Sequence, residues 1–274
     1  MTQAPAALLI IAGSDPSGGA GIQADLKTAA TIGVYGAAAI TSLTVQNTEG
    51  VFSANPVEPS LVKEQVEKVL ADLPVSHIKT GMLGNSGITG TVGEILARFE
   101  GVVVCDPILH SSSGKSLLEG ASVHDLRKHI ISRATAITPN FPELKALSGH
   151  ELANDDDMRY AVERLFTKHP ALKVVVVKGG HRDMSSAEVS DFLFRRTEGE
   201  ILESRSARRR VTTSNTHGTG CTFATALTAY HMQTGDWTRS FELAGEYVQE
   251  ILIASAGIQL GKGTGPLQHH LFSR

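Results

Sequence analysis

The chain has 274 residues, with 25 Lys and Arg against 28 Asp and Glu, a net charge of −3, 41% hydrophobic and 19% charged residues. That balance excludes the basic excess of a nucleic-acid binder, and the apolar start, Met1 to Ile11, has neither the positive flank of a signal peptide nor the length of a membrane span. The two cysteines, Cys105 and Cys221, lie far apart in unrelated motifs, so they build no disulfide framework and point to a reducing, cytoplasmic setting.

No linker, charge block or repeat divides the sequence, and one domain over residues 1–274 is expected. Short apolar runs alternate with amphipathic segments, the pattern of buried parallel strands joined by crossover helices. In chain order the predicted strands are Leu8 to Ala12, Ala38 to Leu43, His77 to Lys79, Val102 to Cys105, Ala136 to Thr138 and Val174 to Val177. The predicted helices between them are Gly21 to Thr31, Ser60 to Asp72, Thr89 to Phe99, Ser122 to Ile131 and Asp155 to Thr167, several opened by a capping Ser, Thr or Asp. The rhythm then changes to a small antiparallel pair, Val189 to Arg195 and Ile201 to Ser206, around Glu198, Gly199 and Glu200. Helices Thr219 to Gln233 and Trp237 to Ala256 follow. The fold class is therefore α/β, a doubly wound and mostly parallel sheet with helices on both faces. The basic run Arg205, Arg208, Arg209, Arg210 reads as a solvated strand edge, and His269-His270 as exposed tail.

In such sheets ligands bind at the carboxyl ends of the strands, where most of the unusual residues fall. The first loop, Gly13-Ser14-Asp15-Pro16-Ser17-Gly18-Gly19-Ala20-Gly21, lets backbone approach a ligand closely, yet it lacks the Gly-x-Gly-x-x-Gly dinucleotide spacing. Asp25, one turn into the next helix, either orients a ligand hydroxyl or complements the helix dipole. Gly114-Lys115-Ser116 is not a P-loop, because Leu109 stands where its leading glycine belongs. A different anion site is offered by Thr216-His217-Gly218-Thr219-Gly220-Cys221, whose N–H groups open a long helix. Cys221 at that helix start is a candidate general base with a lowered thiol pKa, or else a small buried residue. Asp106, Glu143 and Lys178 follow three further strands and are the residue types that hold magnesium and neutralise a triphosphate. Each also has an ordinary structural explanation, Glu143 as a helix-start carboxylate and Lys178 as a solvated strand end. Ser111 to Lys115 and His181 to Ala187 are the candidate flaps.

Taken together, Gly13 to Thr28, Gln46-Asn47-Thr48, Lys79-Thr80-Gly81-Met82-Leu83, Thr138-Pro139-Asn140, Lys178-Gly179-Gly180-His181, Asn215 to Cys221 and Gly261-Lys262-Gly263 resemble the hydroxymethylpyrimidine and phosphomethylpyrimidine kinase family of thiamine biosynthesis, within the ribokinase-like superfamily. The resemblance implies transfer of the γ-phosphate of ATP, with Mg²⁺, to a hydroxymethylpyrimidine and then to its monophosphate, by a homodimeric enzyme. It places the pyrimidine against Gly13, Asp25, Gln46 and Met82, with the Gln46 amide reading the aminopyrimidine edge. It also implies an anion hole at Gly218, Thr219, Gly220 and Cys221. Asp106, Asn140, Glu143 and Lys178 would serve magnesium and the triphosphate, with Asp106 and Glu143 on the metal side, and adenine would lie near the last two helices. The sequence departs from the family pattern at Ile108-Leu109-His110, after Asp106-Pro107, and at Phe141. Two other readings compete: a pyridoxal or pyridoxine kinase, alone or with dual specificity, and a catalytically inactive binding protein that keeps the fold.

Overall fold

In the computed structural model, which describes residues 6–109, 123–180 and 185–272, the first strand β1 (Ala7–Ser14) is buried along nearly its whole length. A strand that is apolar on both sides needs cover on both faces, and the period of two supplies it: Leu9 and Ile11 point into one core, Leu8, Ile10 and Ala12 into the other. After β1 come α1 (Gly21–Ile32), β2 (Tyr35–Asn47), β3 (Gly50–Pro56), α2 (Pro59–Asp72), β4 (Val75–Thr80), α3 (Ser86–Leu96) and β5 (Val102–Cys105). The chain continues through α4 (Val123–Asp125, running on as a π-helical turn, Leu126–Ile131), β6 (Ala136–Ile137), α5 (Phe141–Ser148), α6 (Asp155–Lys168) and β7 (Val174–Val177). It ends with β8 (Glu188–Arg196), β9 (Ile201–Arg209), α7 (Thr219–Thr234) and α8 (Trp237–Ser255).

One nine-stranded sheet results, in the order β3-β2-β1-β4-β5-β6-β7-β8-β9. β1 pairs in parallel with β2 on one side and β4 on the other, so the strand order reverses direction at β1 and opens a crevice beside Ser14. Residues of α2 to α6 pack on the face that holds Leu9 and Ile11, and those of α1, α7 and α8 on the opposite face, where Phe223, Tyr230 and Tyr247 are buried. The predicted α/β architecture is thus the observed one, with the antiparallel part larger than expected. β8 and β9 belong to the main sheet, and β3, absent from the sequence reading, runs antiparallel to an unexpectedly long β2. β3 has little alternation, and its Phe52 is exposed, so its pattern gives no strand signal.

Two local corrections have clear causes. α3 begins at Ser86, three residues before the predicted start, because the Asn85 side chain caps it by accepting from the Ile88 N–H. His269 is buried, with Nε2 3.0 Å from Thr222 Oγ1, and is not tail; His270 beside it is exposed. The candidate flap Ser111 to Lys115, residues 181–184 of the other candidate, and the Gly114-Lys115-Ser116 run lie outside the described residues. No helix among the described residues is long and apolar enough to cross a membrane.

Candidate active site

The carboxyl ends of β1, β2 and β4 to β7 surround one cleft of about 660 Å³. Its first wall is the β1–α1 loop, shaped by a residue the sequence reading passed over. Asp15 Oδ1 accepts from the Ser17 N–H and hydroxyl, and Oδ2 from the Gly19 and Ala20 N–H groups, so one carboxylate winds the loop around itself. Its Oδ2 also lies 2.8 Å from His217 Nε2 and ties this loop to the start of α7. The two loops interlock closely enough to dictate glycine: Gly218 has φ +83°, and a Cβ there would stand 1.8 Å from the Gly19 carbonyl oxygen.

Gly218 caps α7, and the first-turn N–H groups of Thr219, Gly220 and Cys221 lie at the positive end of a long helix. Opposite them, a Cβ on Gly220 would come 3.5 Å from Lys178 Nζ and 3.7 Å from Asp106 Oδ2, so the cradle faces a cation and a carboxylate. Lys178 donates to Asp106 Oδ1 at 2.9 Å, and the Thr138 hydroxyl donates to the same oxygen at 3.1 Å. Burial alone would lower the Lys178 pKa, but Asp106 and Glu143 outweigh it and raise it, keeping the ammonium charged. Glu143 and Asn140 form a reciprocal cap at the start of α5. Burial pushes the Glu143 carboxyl up to about 7, with Asp106 adding to the rise and Lys178 opposing it.

Among the described residues no group of three or more His, Cys, Asp or Glu forms a metal cage. Asp106 and Glu143 nevertheless suit magnesium, which takes one or two carboxylates and completes its shell from phosphates and water. The elevated Glu143 carboxyl marks a buried acid that a cation would relieve. The opposite end of the cleft is less polar. Met82 lines it, and Gly13 makes room for the thioether, since a Cβ there would meet Met82 Sδ at 3.1 Å. Gln46 closes this end from β2, with its amide nitrogen 3.0 Å from His217 Nε2.

Gly13, Gln46, Met82, Asp106, Asn140, Glu143, Lys178 and residues 218–221 all reach the cleft, and two expectations are corrected there. Asp25 is not in the lining. It is fully buried beneath it, paired with Lys79 Nζ at 2.8 and 2.9 Å and accepting from Thr225 Oγ1 at 2.7 Å. Cys221 is present but is no poised thiolate: burial pushes its thiol up to about 12, against the opposing pull of Lys79 and the Gly21 N–H. Desolvation exceeds the helix dipole here because the side chain lies inside the wall and not at an open helix end. The arginine run is also only partly solvated. Arg208, Arg209 and Arg210 stand in the cleft wall, and Arg208 packs where a side chain on Gly245 of α8 would sit.

Comparison with known proteins places the chain in a family. The family model described as Phosphomethylpyrimidine kinase matches residues 15–268. The chain is 38% identical over 267 residues to the hydroxymethylpyrimidine/phosphomethylpyrimidine kinase of Bacillus subtilis, covering 97% of this chain and 95% of that protein. Among solved structures, phosphomethylpyrimidine kinase from Clostridium difficile superimposes with a TM-score of 0.76 at 35% identity, covering 89% of this chain and 98% of that one. Pyridoxal kinase from Staphylococcus aureus in complex with AMP-PCP and pyridoxal gives 0.83 at 29% identity, covering 99% and 96%. With its ribokinase-like sheet and this match over nearly its whole length, the chain belongs to the phosphomethylpyrimidine kinase family.

Proposed function

We propose that this protein transfers the γ-phosphate of ATP to the hydroxymethyl group of 4-amino-5-hydroxymethyl-2-methylpyrimidine, and then a second phosphate to the resulting monophosphate, in thiamine biosynthesis. The observation that carries this reading is the polarity of the cleft. A helix-start cradle, Lys178 and two carboxylates lie at one end, and a thioether with a donor–acceptor amide lies at the other, the size and chemistry of an aminopyrimidine. Asp106 and Glu143 would hold Mg²⁺ with the triphosphate, where it neutralises the phosphate oxygens.

The hydroxymethyl oxygen forms its bond to the γ-phosphorus as the bond to the bridging oxygen of ADP breaks. Lys178 and the N–H groups at 218–221 stabilise the charge on the moving phosphoryl group. A loose transition state needs little proton removal before attack, so a Cys221 that stays a thiol orients the hydroxyl by hydrogen bonding, and the proton leaves once the oxygen carries phosphorus. The protein acts in the cytoplasm and as a homodimer. Support for the dimer comes from Leu43, Val45 and Phe52, large apolar side chains exposed together on the β2–β3 hairpin. Pyridoxal remains the second candidate substrate because of the likeness to the Staphylococcus aureus enzyme. ADP release measured with ATP, magnesium and each of hydroxymethylpyrimidine, its monophosphate and pyridoxal separates them. Turnover with both pyrimidines is the expected result, and turnover with pyridoxal alone would overturn the substrate while leaving the phosphate site in place.

A further inference from the structure

His217 and Asp15 line the same cleft as Gln46, and the substrate reading gives neither of them work. His217 Nε2 stands 2.8 Å from Asp15 Oδ2 and 3.0 Å from Gln46 Nε2. One ring nitrogen cannot satisfy both. Protonated, it donates to the carboxylate and meets a second donor at the amide; bare, it accepts from the amide and faces the carboxylate lone pair to lone pair. Asp15 decides the matter. It is 2% exposed and anchored by the Ser17 and Ala20 N–H groups. Four donors, the Ser17 N–H and hydroxyl and the Gly19 and Ala20 N–H groups, already point at its two oxygens, an environment that suits the ionised carboxylate and leaves it able only to accept. A carboxylate fixed in this way requires N–H at His217 Nε2.

The far side of the amide carries the same conflict. Thr44 has one hydroxyl proton and two acceptors within reach, the Ser14 carbonyl at 2.9 Å and Gln46 Oε1 at 3.3 Å. A half-turn of the amide about χ3 resolves both ends. Its carbonyl then receives from His217 Nε2–H, shared with Asp15, and its NH₂ donates to Thr44 Oγ1, whose own proton goes to Ser14.

We propose that Asp15 and His217 are a positioning pair that fixes the Gln46 amide with its carbonyl toward the imidazole and its NH₂ toward Thr44, setting the donor–acceptor polarity of the edge shown to the substrate ring. The proposal rests on the substrate reading above only for the identity of that ring. His217 touches the amide and not the reacting atoms, so its effect is on selectivity. An aminopyrimidine matches the fixed edge: its amino group donates to the remaining carbonyl lone pair and its ring nitrogen accepts from the amide. The 4-oxo analogue, which offers a carbonyl and a ring N–H, presents the reverse pattern and is disfavoured.

Two measurements test this. A histidine nitrogen-15 spectrum of the full chain near neutral pH, assigned by the signal lost in His217→Gln, is expected to show a protonated Nε2. A bare Nε2 with a protonated Nδ1 overturns the pairing, whichever ring the enzyme phosphorylates. In kinetics, the preference in kcat/KM for the amino over the oxo pyrimidine is expected to fall about tenfold in His217→Leu, chiefly through KM, the worth of one hydrogen bond at a half-buried site. His217→Gln, which keeps a donor at similar reach, retains most of the preference. An unchanged preference in His217→Leu overturns the proposal. Failure of the wild type to phosphorylate either pyrimidine overturns the substrate reading instead, and the spectrum then decides the pairing alone.

Discussion

The molecule contains two lysine–aspartate pairs built on the same plan. In each, a lysine at the carboxyl end of a strand meets an aspartate and a threonine hydroxyl donates to the carboxylate: Lys79, Asp25 and Thr225 in one, Lys178, Asp106 and Thr138 in the other. The first is sealed, with both charged side chains at 0% exposure, and it joins β4, α1 and α7 below the cleft. The second opens onto Gly220, with the lysine at 16% exposure and within reach of the head of α7. The same chemistry is therefore sealed in one place and open to the cleft in the other, and access is what fits only the second for the proposed catalysis.

Breaking each pair shows which is which. Lys79→Met leaves the Asp25 charge buried without its partner and is expected to destabilise the fold by about 3–5 kcal/mol in urea titration, whereas Lys79→Met with Asp25→Leu recovers most of the loss. Recovery of activity without recovery of stability would contradict the structural assignment. Lys178→Met acts chiefly on catalysis: turnover falls about 10²–10³-fold, as for loss of a donor to a transition-state oxyanion, while the loss of stability stays smaller than in Lys79→Met because this pair opens onto the cleft. Near wild-type turnover would remove Lys178 from catalysis.

Cys221→Ala, which deletes a neutral thiol and not a thiolate, lowers kcat by about tenfold, the scale of one hydrogen bond. Its signature is an unchanged pH–rate profile below the thiol range, because burial holds the wild-type group at about 12. A neutral-pH ionisation that vanishes in the variant would restore the thiolate. The smallest effect is in stability against pH. Glu143 has its folded pKa raised from 4.5 to about 7, so between those values the native state binds the extra proton and stability falls as pH rises. Glu143→Gln flattens that stretch of the curve, and an identical slope in both proteins would show that Glu143 does not titrate there.

Much of this was legible in the sequence. Buried strands announce themselves as apolar runs, and the rule that ligands sit at their carboxyl ends is enough to bring Asp106, Asn140, Glu143 and Lys178 to one cleft. What sequence does not carry is rotation and depth. Asp25 is close to the right loop, but the turn of α1 aims it at Lys79 and away from the cleft. Cys221 occupies the right helix turn, yet burial overrides the dipole. Asp15 and His217 were passed over because their signals are separate: Asp15 looks like an ordinary loop aspartate and His217 like a spacer, and only the tertiary contact joins them. The Asp-Pro-Ser-Gly-Gly run is a turn signature that marks Asp15 as an organiser of backbone, which is the part of its role that local sequence can reveal.

The link between Asp15 and His217 spans 202 residues, that between Asp25 and Thr225 spans 200, and the Lys262 N–H reaches Thr48 across 214. Contacts between such distant segments close late in folding, because the loop entropy is lost before the contacts reward it. During synthesis, strands β1 to β7 emerge from the ribosome before α7 exists. A nascent chain at that stage holds the β1–α1 loop without the α7 head that packs against it. Only after α7 has followed can its head close on the β1–α1 loop through His217 and Asp15, so these two walls of the cleft come from segments that meet late.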